Sequence, residues 1–298
     1  MSANAATPLT RPTDRLRRRK AVNRGMELIA WVAAAVAVGI LVLLVQSVAH
    51  LGASEFNLNL FTKAQVGYDP TVPQGLSNAF IGTLVIVGVA TAMALPFGIL
   101  VAIYVNEFAP RAIKNIVSLG LDVLNGIPAI VIAIFVFGLL VLRHGQSGLA
   151  GSFALAILML PLVARSTIEV LALVPNSLRE ASLGLGVARW RTTLGIVLPQ
   201  TIGGVLTGAT LAVARIAGET APLLFCSSLV PNGVSWNPLH ALQSVPLAIF
   251  ELSESPYPQD HARAWSAALV LILFILFASL GARWLATRSK RKIGRAGR

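Results

Sequence analysis

The chain has 298 residues, of which 55% are hydrophobic and only 12% are charged, and its mean hydropathy is +0.75. About 25% of the residues in an average soluble protein are charged, so a soluble protein of this size could not bury so much apolar surface. The composition also excludes a disordered chain, a collagen and a disulfide scaffold. Because the apolar residues come in unbroken runs, we expect an integral membrane protein.

The net charge of +12 does not indicate a nucleic-acid-binding protein, because the cations form no stripe on a folded face. They are concentrated in two clusters near the chain ends, 15–20 and 288–292. Basic clusters beside apolar runs usually anchor a membrane protein against anionic lipid. The single cysteine, Cys226, cannot form an internal disulfide, and with the four histidines it shows no metal-ligand spacing.

Six runs are long enough to cross a bilayer core, which requires about 20 apolar residues per helix. They are 26–51, 78–105, 116–142, 149–168, 198–225 and 264–286. The first run is too long for the apolar part of a cleaved signal peptide, so we expect it to be retained. The sequence therefore predicts an all-α bundle of six transmembrane helices over 26–286, between basic tails at 1–25 and 287–298.

The distribution of Lys and Arg predicts that both termini are cytoplasmic. In that orientation the tails and inner loops hold 20 of the 24 basic residues, whereas the outer loops hold only Lys63, Arg143 and Arg263. Cytoplasmic loops of membrane proteins carry such an excess.

Two predicted outer loops are long, 52–77 and 226–263, and the second contains an amphipathic stretch at 239–252. Long loops tend to be functional. We expect the second loop to be either a lid over the bundle or a docking surface for a partner.

The predicted inner loop 169–197 contains a short helix of its own. Ser177 and Glu180 have the spacing of a capping box, which predicts that Ser177 caps the start of this helix. Gly184 and Gly186 can end it. Arg189 and Arg191 flank Trp190, a pattern suited to the lipid headgroup level.

This inner loop also carries a recognisable motif. Its positions are Glu180, Ala181, Ser182, Gly186, Ile196, Leu198 and Pro199. Their spacing resembles the Glu-Ala-Ala motif of the permease subunits of bacterial ABC importers, with Ser182 in place of the second alanine. Three further segments, 124–131, 214–225 and 242–250, are similar to the A-type (PstA) permeases of phosphate importers.

The resemblance covers about residues 26–290 and implies a type I importer permease in the bacterial inner membrane. Such a chain forms half of a pathway for inorganic phosphate, with a homologous C-type permease as the other half. The resemblance also implies two copies of an ATPase bound on the cytoplasmic side and a phosphate-binding protein on the outer side. The chain itself has no G-x-x-x-x-G-K-[ST] loop, so we expect no enzymatic activity and no cofactor of its own, with ATP-Mg held by the ATPase.

Arg215 and Glu219 are four residues apart in the fifth run, so they are expected to share one helix face and to pair. A charge at bilayer depth costs about 2.5–3.5 kcal/mol on insertion scales and therefore faces a cavity or a partner. A guanidinium matches phosphate oxygens. We predict that Arg215 lines the substrate pathway, with Glu219 orienting it and Thr220 beside it. The alternative is a structural ion pair that locks the subunit to its neighbour.

For the inner loop, the resemblance predicts that Glu180, Ala181, Ser182 and Gly186 couple the chain to the ATPase. A short helix that projects between two spans can transmit a rigid-body motion to the fifth span. The alternative for Glu180 is a purely local capping role.

The remaining polar and kinking residues are interpreted as structural, and the alternative for Pro222, three residues after Glu219, is that it frees backbone carbonyls near the pore. Asp122 and Asn125, near the inner end of the third run, are interpreted as polar residues at the membrane interface. Prolines inside the runs kink their helices and free backbone carbonyls. They are Pro96, Pro128, Pro161 and Pro222.

Three other functions stay open. A permease for sulfate or molybdate would handle a similar tetrahedral oxyanion. A proton-coupled secondary transporter would use Glu219 as the proton carrier and would be expected to show inverted repeats, of which none is obvious. A membrane enzyme would need a nucleophile–base pair or a metal constellation, and the sequence suggests neither.

Overall fold

The computed structural model describes residues 14–65, 74–228 and 233–296, and every regular element within these ranges is a helix. The α-helices are α1 Asp14–Gly52, α2 Leu58–Thr62, α3 Ser77–Ile103, α4 Arg111–Gly126, α5 Ala129–Val136, α6 Leu142–His144, α7 Gly148–Ala172, α8 Asn176–Gly184, α9 Arg189–Thr192, α10 Leu198–Ile216, α11 Ala221–Cys226, α12 Val245–Ser253 and α13 Pro258–Ala296. Three π-helical turns interrupt the α-helical geometry, at Tyr104–Phe108, Phe137–Val141 and Thr193–Val197.

The chain divides into two compact units, residues 1–50 and residues 51–298. In the first unit the described residues belong to α1, which begins at Asp14, so the end of the predicted basic tail is already helical. Residues 1–13 of that tail lie outside the described residues. The stretch Arg18–Gly52 is long and apolar enough to cross a membrane, as predicted.

In the second unit, four helical stretches are also long and apolar enough to cross a membrane. They are Ser77–Phe108, Gly148–Ala172, Arg189–Ile216 and Pro258–Gly281. Together with α1 they confirm five of the six predicted spans, although several ends differ from the prediction. At the C-terminal end, α13 continues through most of the predicted tail, to Ala296.

The predicted third span, 116–142, is sharply bent at Pro128, one of the prolines predicted to kink its helix. The helix is interrupted after α4, and the helical segment Ala129–His144 is inclined at 93° to α4. Pro128 has no N–H to continue the helix, and it disfavours helical geometry in Ile127, whose ψ is 127°. The pair is a broken span or a re-entrant loop, so the described residues hold five helices long and apolar enough to cross a membrane, or six spans if the pair is counted as one.

The most buried of the spans is α7, with 56% of its apolar window buried, and it contacts both α3 and α10. Glycines allow this close approach. A Cβ added at Gly98 of α3 would lie 2.9 Å from Val163 Cγ1, and one added at Gly208 of α10 would lie 2.8 Å from Ser166 Cβ. Small residues at such contacts are typical of helix packing in membranes.

The predicted outer segment 239–252 is helical only from Val245, where α12 begins. The side chain of Leu247 is fully buried, and α12 packs against α13. The N–H of Val245 donates to Thr83 Oγ1 of α3 at 2.8 Å. This burial favours the lid interpretation, whereas docking of a partner on the exposed part of the loop stays a prediction.

Candidate functional site

The two predicted groups of functional residues are separated along the chain by α10. The coupling residues precede α10, and Arg215 lies in its last turn. Because α10 has 19 residues, its ends are about 28 Å apart. The structure therefore does not bring the two groups together, and α9, the π-helical turn Thr193–Val197 and α10 connect them along the chain.

The fifth span ends earlier than predicted. A continuous helix over 198–225 is wrong, because α10 ends at Ile216 and Glu219 lies in a non-helical turn before α11. Pro222 explains the break, since it has no N–H for the carbonyl of Gly218 and its ring would clash with that carbonyl in a continuous helix. Arg215 and Glu219 therefore do not share a helix face.

Arg215 and Glu219 are nevertheless neighbours. Arg215 Nε lies 4.0 Å from Glu219 Oε1, which is too long for a hydrogen bond. The Arg215 side chain is 64% exposed and that of Glu219 is 28% exposed. Exposed pairs contribute about 0–1 kcal/mol to stability. Thr220 follows directly and is partly buried. The arrangement leaves most of the guanidinium accessible to another anion.

The coupling helix, α8, starts differently from the prediction. It begins at Asn176, its N-cap is Pro175, and no side chain caps it by a hydrogen bond. The predicted capping box at Ser177 is therefore wrong, because the fixed φ of Pro175 (−60°) starts the helix two residues earlier. Glu180 is exposed. Its side chain is available to a partner.

The end of α8 agrees with the prediction. Gly184 is the last helical residue, and Gly186 has a φ of +78°. Glycine adopts this left-handed conformation without the steric cost that a side chain would bring. A Cβ at Gly186 would meet no atom within 4 Å, so the backbone conformation alone requires glycine.

The four predicted coupling residues do not face the same way. Glu180, Ala181 and Gly186 are exposed, whereas Ser182 is only 4% exposed. Ser182 Oγ lies 2.8 Å from Thr192 Oγ1 of α9, within hydrogen-bonding distance. An alanine at this position could not form that bond, which gives a structural reason for the departure from the Glu-Ala-Ala motif.

Sequence reasoning missed two ion pairs between helices. Arg179 of α8 binds Glu107 in the π-helical turn after α3, with Nη2–Oε1 at 2.8 Å. Arg165 of α7 donates from Nε to Asp122 Oδ1 of α4 at 2.9 Å. The available clue was that Glu107 directly follows a long uncharged run and Arg179 directly precedes Glu180.

Beside α8 lies a cavity of about 420 Å³ with a largely polar lining. Its charged lining residues are Glu107, Lys114, Arg179, Glu180 and Arg189. Within the part of the chain that the structure describes, no group of His, Cys, Asp or Glu could hold a metal ion.

Comparison with known proteins decides the family. The profile of the binding-protein-dependent transport system inner membrane components matches residues 94–291. The chain is 36% identical over 277 residues to the phosphate transport system permease protein PstA of Xylella fastidiosa, covering 92% of this chain and 96% of the relative. It is 38% identical over 234 residues to PstA of Haemophilus influenzae, covering 78% and 82%. This chain belongs to the PstA permease family.

Solved structures confirm the predicted fold for this PstA-family chain. A bacterial ABC transporter involved in the import of the acidic polysaccharide alginate matches with a TM-score of 0.62 at 16% identity, covering 91% of this chain and 99% of that one. The MetNI methionine ABC transporter matches with a TM-score of 0.57 at 17% identity, covering 72% and 94%. At these identities the likeness concerns the fold alone. With several apolar spans and its family membership, the chain is a multi-pass inner-membrane protein.

Proposed function

We propose that this chain is the permease subunit of an ATP-driven importer of inorganic phosphate, with both termini in the cytoplasm. The observation that carries the proposal is the chain's 36–38% identity to named phosphate permeases over most of its length. The excess of Lys and Arg in the tails and inner loops supports the orientation.

In this function Arg215 provides the fixed positive charge of the pathway. Its guanidinium stays protonated at any physiological pH and presents a planar fork of donors to a phosphate group. Glu219, 4.0 Å away, is near enough to bias the orientation of the guanidinium but does not occupy its donors through a hydrogen bond. The Thr220 hydroxyl adds a neutral donor beside the pair.

The chain supplies half of the pathway, and the proposed C-type permease supplies the other half. Two ATPase subunits bind ATP-Mg and hydrolyse it, since this sequence contains no phosphate-binding loop of its own. A phosphate-binding protein delivers the anion from the outer side. This chain contributes binding, orientation and coupling but no covalent chemistry.

Coupling to the ATPase takes place at α8. Glu180 and Ala181 are exposed there, beside the polar cavity of about 420 Å³, and Ser182 holds the helix to α9 from the inside. A displacement of α8 is passed through α9 and the π-helical turn Thr193–Val197 into α10. Arg215 lies in the last turn of that helix, about 28 Å from its first residue, so motion at the ATPase reaches the pathway along α10.

Uptake measurements in cells test the function. Removal of the gene is expected to abolish ATP-dependent uptake of radiolabelled phosphate at low external concentration, and a plasmid copy is expected to restore it. The purified chain alone in liposomes is expected to move no phosphate. Uphill uptake by the lone chain under a proton gradient would instead favour a secondary transporter.

A charge reversal tests the coupling role. Glu180→Lys is expected to leave the chain inserted but to prevent assembly with the ATPase or to separate ATP hydrolysis from transport. Glu254→Lys is the matched control, because Glu254 is also exposed but lies beyond α12, far along the chain from the coupling loop. Equal uptake and equal ATPase stimulation in both variants would remove Glu180 from the coupling mechanism.

A further inference from the structure

The guanidinium of Arg179 uses all five of its N–H donors. Nε and Nη2 bind the two carboxylate oxygens of Glu107, at 3.1 and 2.8 Å. The other donors bind the carbonyl oxygens of Leu171 and Val174 and the side-chain oxygen of Asn176. The side chains of Arg179 and Glu107 are only 17% and 5% exposed. This is a buried, two-pronged ion pair without a spare donor on the arginine.

The partners of Arg179 belong to three different elements. Glu107 lies in the π-helical turn that ends the second span, Leu171 lies in the last turn of α7 with Val174 just after it, and Asn176 opens α8. Single π-helical turns inside helices often occur at functional sites. One side chain therefore ties the coupling helix to the ends of two spans that contact each other along their length.

A buried ion pair loses the hydration of both charges, and only excellent geometry and further hydrogen bonds offset that loss. Here the geometry is bidentate, and Asn106 Nδ2 also donates to Glu107 Oε1 at 2.7 Å. Pulling α8 away from the second span would leave both charges buried without a partner. The joint therefore resists separation, whereas the exposed pair Arg165–Asp122 can be solvated when it opens.

We propose that the Glu107–Arg179 pair is a rigid joint that makes α8, α7 and the second span move as one body when the ATPase displaces the coupling helix. Glu107 and Arg179 are positioning residues, since neither needs to touch phosphate or ATP. The proposal rests on the proposed function, and it adds a second connection, from α8 to α7 and the second span, to the route through α9 and α10.

Distance measurements test the joint in the assembled importer. Spin labels are placed at Leu100→Cys in α3 and Leu178→Cys in α8, in a Cys226→Ala background; both leucines are exposed and Cys226 is buried. Between nucleotide-free and ATP-trapped states, this distance is expected to change by less than about 1–2 Å, the size of an ordinary helix shift at an interface. The distance from Leu178 to Leu276 of α13, which is also exposed, is expected to change more.

Variants provide the second measurement. In Arg179→Gln or Glu107→Gln, the Leu100–Leu178 distance is expected to become broadly distributed, and phosphate transported per ATP hydrolysed is expected to fall about tenfold. Arg179→Lys keeps the positive charge but loses the bidentate geometry of the guanidinium. Its ratio of phosphate transported to ATP hydrolysed should therefore lie between those of Arg179→Gln and the unaltered importer. Asp122→Asn is the matched control, since it breaks an ion pair between helices that does not include α8.

Three results would overturn the joint. The first is a larger Leu100–Leu178 change in the unaltered chain, and the second is a transport-to-ATP ratio in Glu107→Gln that equals the ratio in Asp122→Asn. A coupling helix that does not move relative to Leu276 would also overturn it. The unaltered importer separates this failure from failure of the proposed function. If it holds no ATPase or moves no phosphate, the function is wrong, whereas a working importer whose two labels separate on ATP binding refutes only the joint.

Discussion

Replacing Arg215 with glutamine separates a role in the phosphate pathway from a role in architecture. Glutamine keeps a polar side chain with hydrogen-bond donors but removes the fixed positive charge. We expect Arg215→Gln to assemble with its partners at a normal level and to lose phosphate uptake. The companion change Glu219→Gln leaves the cation in place and is expected to have a smaller effect.

The structure sets the size of both effects. The Arg215–Glu219 pair is exposed and 4.0 Å apart, so losing it costs at most about 1 kcal/mol of stability. A unit positive charge about 4 Å from a unit negative charge contributes about 4 kcal/mol at an effective dielectric constant of 20. Since about 1.4 kcal/mol corresponds to a factor of ten, and competing hydration reduces the gain, we expect uptake to fall by at least about 100-fold.

The assay is the initial rate of radiolabelled phosphate uptake by proteoliposomes that contain the complete importer, together with subunit stoichiometry and ATP hydrolysis. Arg143→Gln is the control, since Arg143 is an exposed arginine elsewhere in the chain, after the third predicted span. If the pair is only structural, either single change would weaken assembly and the double change to glutamine would restore both assembly and uptake. Such a recovery, or uptake by Arg215→Gln equal to that of the control, would refute the pathway role.

Two further predictions concern the fold and the orientation. Gly98→Leu is expected to lower the melting temperature of the purified importer, because overpacking of the α3–α7 contact costs about 1–3 kcal/mol. Gly138→Leu is the control and should change the melting temperature little, because a side chain at Gly138 has open space. Equal melting temperatures of the two variants would contradict the close contact between α3 and α7. In a Cys226→Ala background, a membrane-impermeant maleimide is expected to label Lys63→Cys in intact cells and Arg189→Cys only after permeabilisation. The reverse pattern would contradict the orientation.

The apolar runs predicted the spans well, because length and hydropathy alone decide whether a helix can cross a bilayer. The breaks were harder to predict. Pro96 and Pro161 lie inside continuous helices, whereas the helices are interrupted next to Pro128 and Pro222. A proline removes the same hydrogen bond in each case, and neighbouring helices decide whether the surrounding backbone stays helical. That information is tertiary and is absent from a local pattern.

The candidate site likewise contains residues that a local sequence pattern predicts and residues that only the tertiary structure brings together. Arg215 and Glu219 could be predicted because charges within an apolar run are conspicuous. Gly186 could be predicted because glycine commonly ends a helix. The Glu107–Arg179 pair was missed because its members are 72 residues apart, and nothing local indicates that they meet. The capping box at Ser177 failed for a local reason, since Pro175 already starts the helix.

Oxyanion-selective uptake tests the central claim most directly. Proteoliposomes that contain the purified importer with its binding protein outside and ATP inside are supplied with labelled phosphate, with sulfate and molybdate as competitors. We predict ATP-dependent phosphate accumulation that stops without ATP and is unaffected by either competitor. Accumulation of sulfate or molybdate in preference to phosphate, or phosphate uptake that persists without ATP under a proton gradient, would contradict this function.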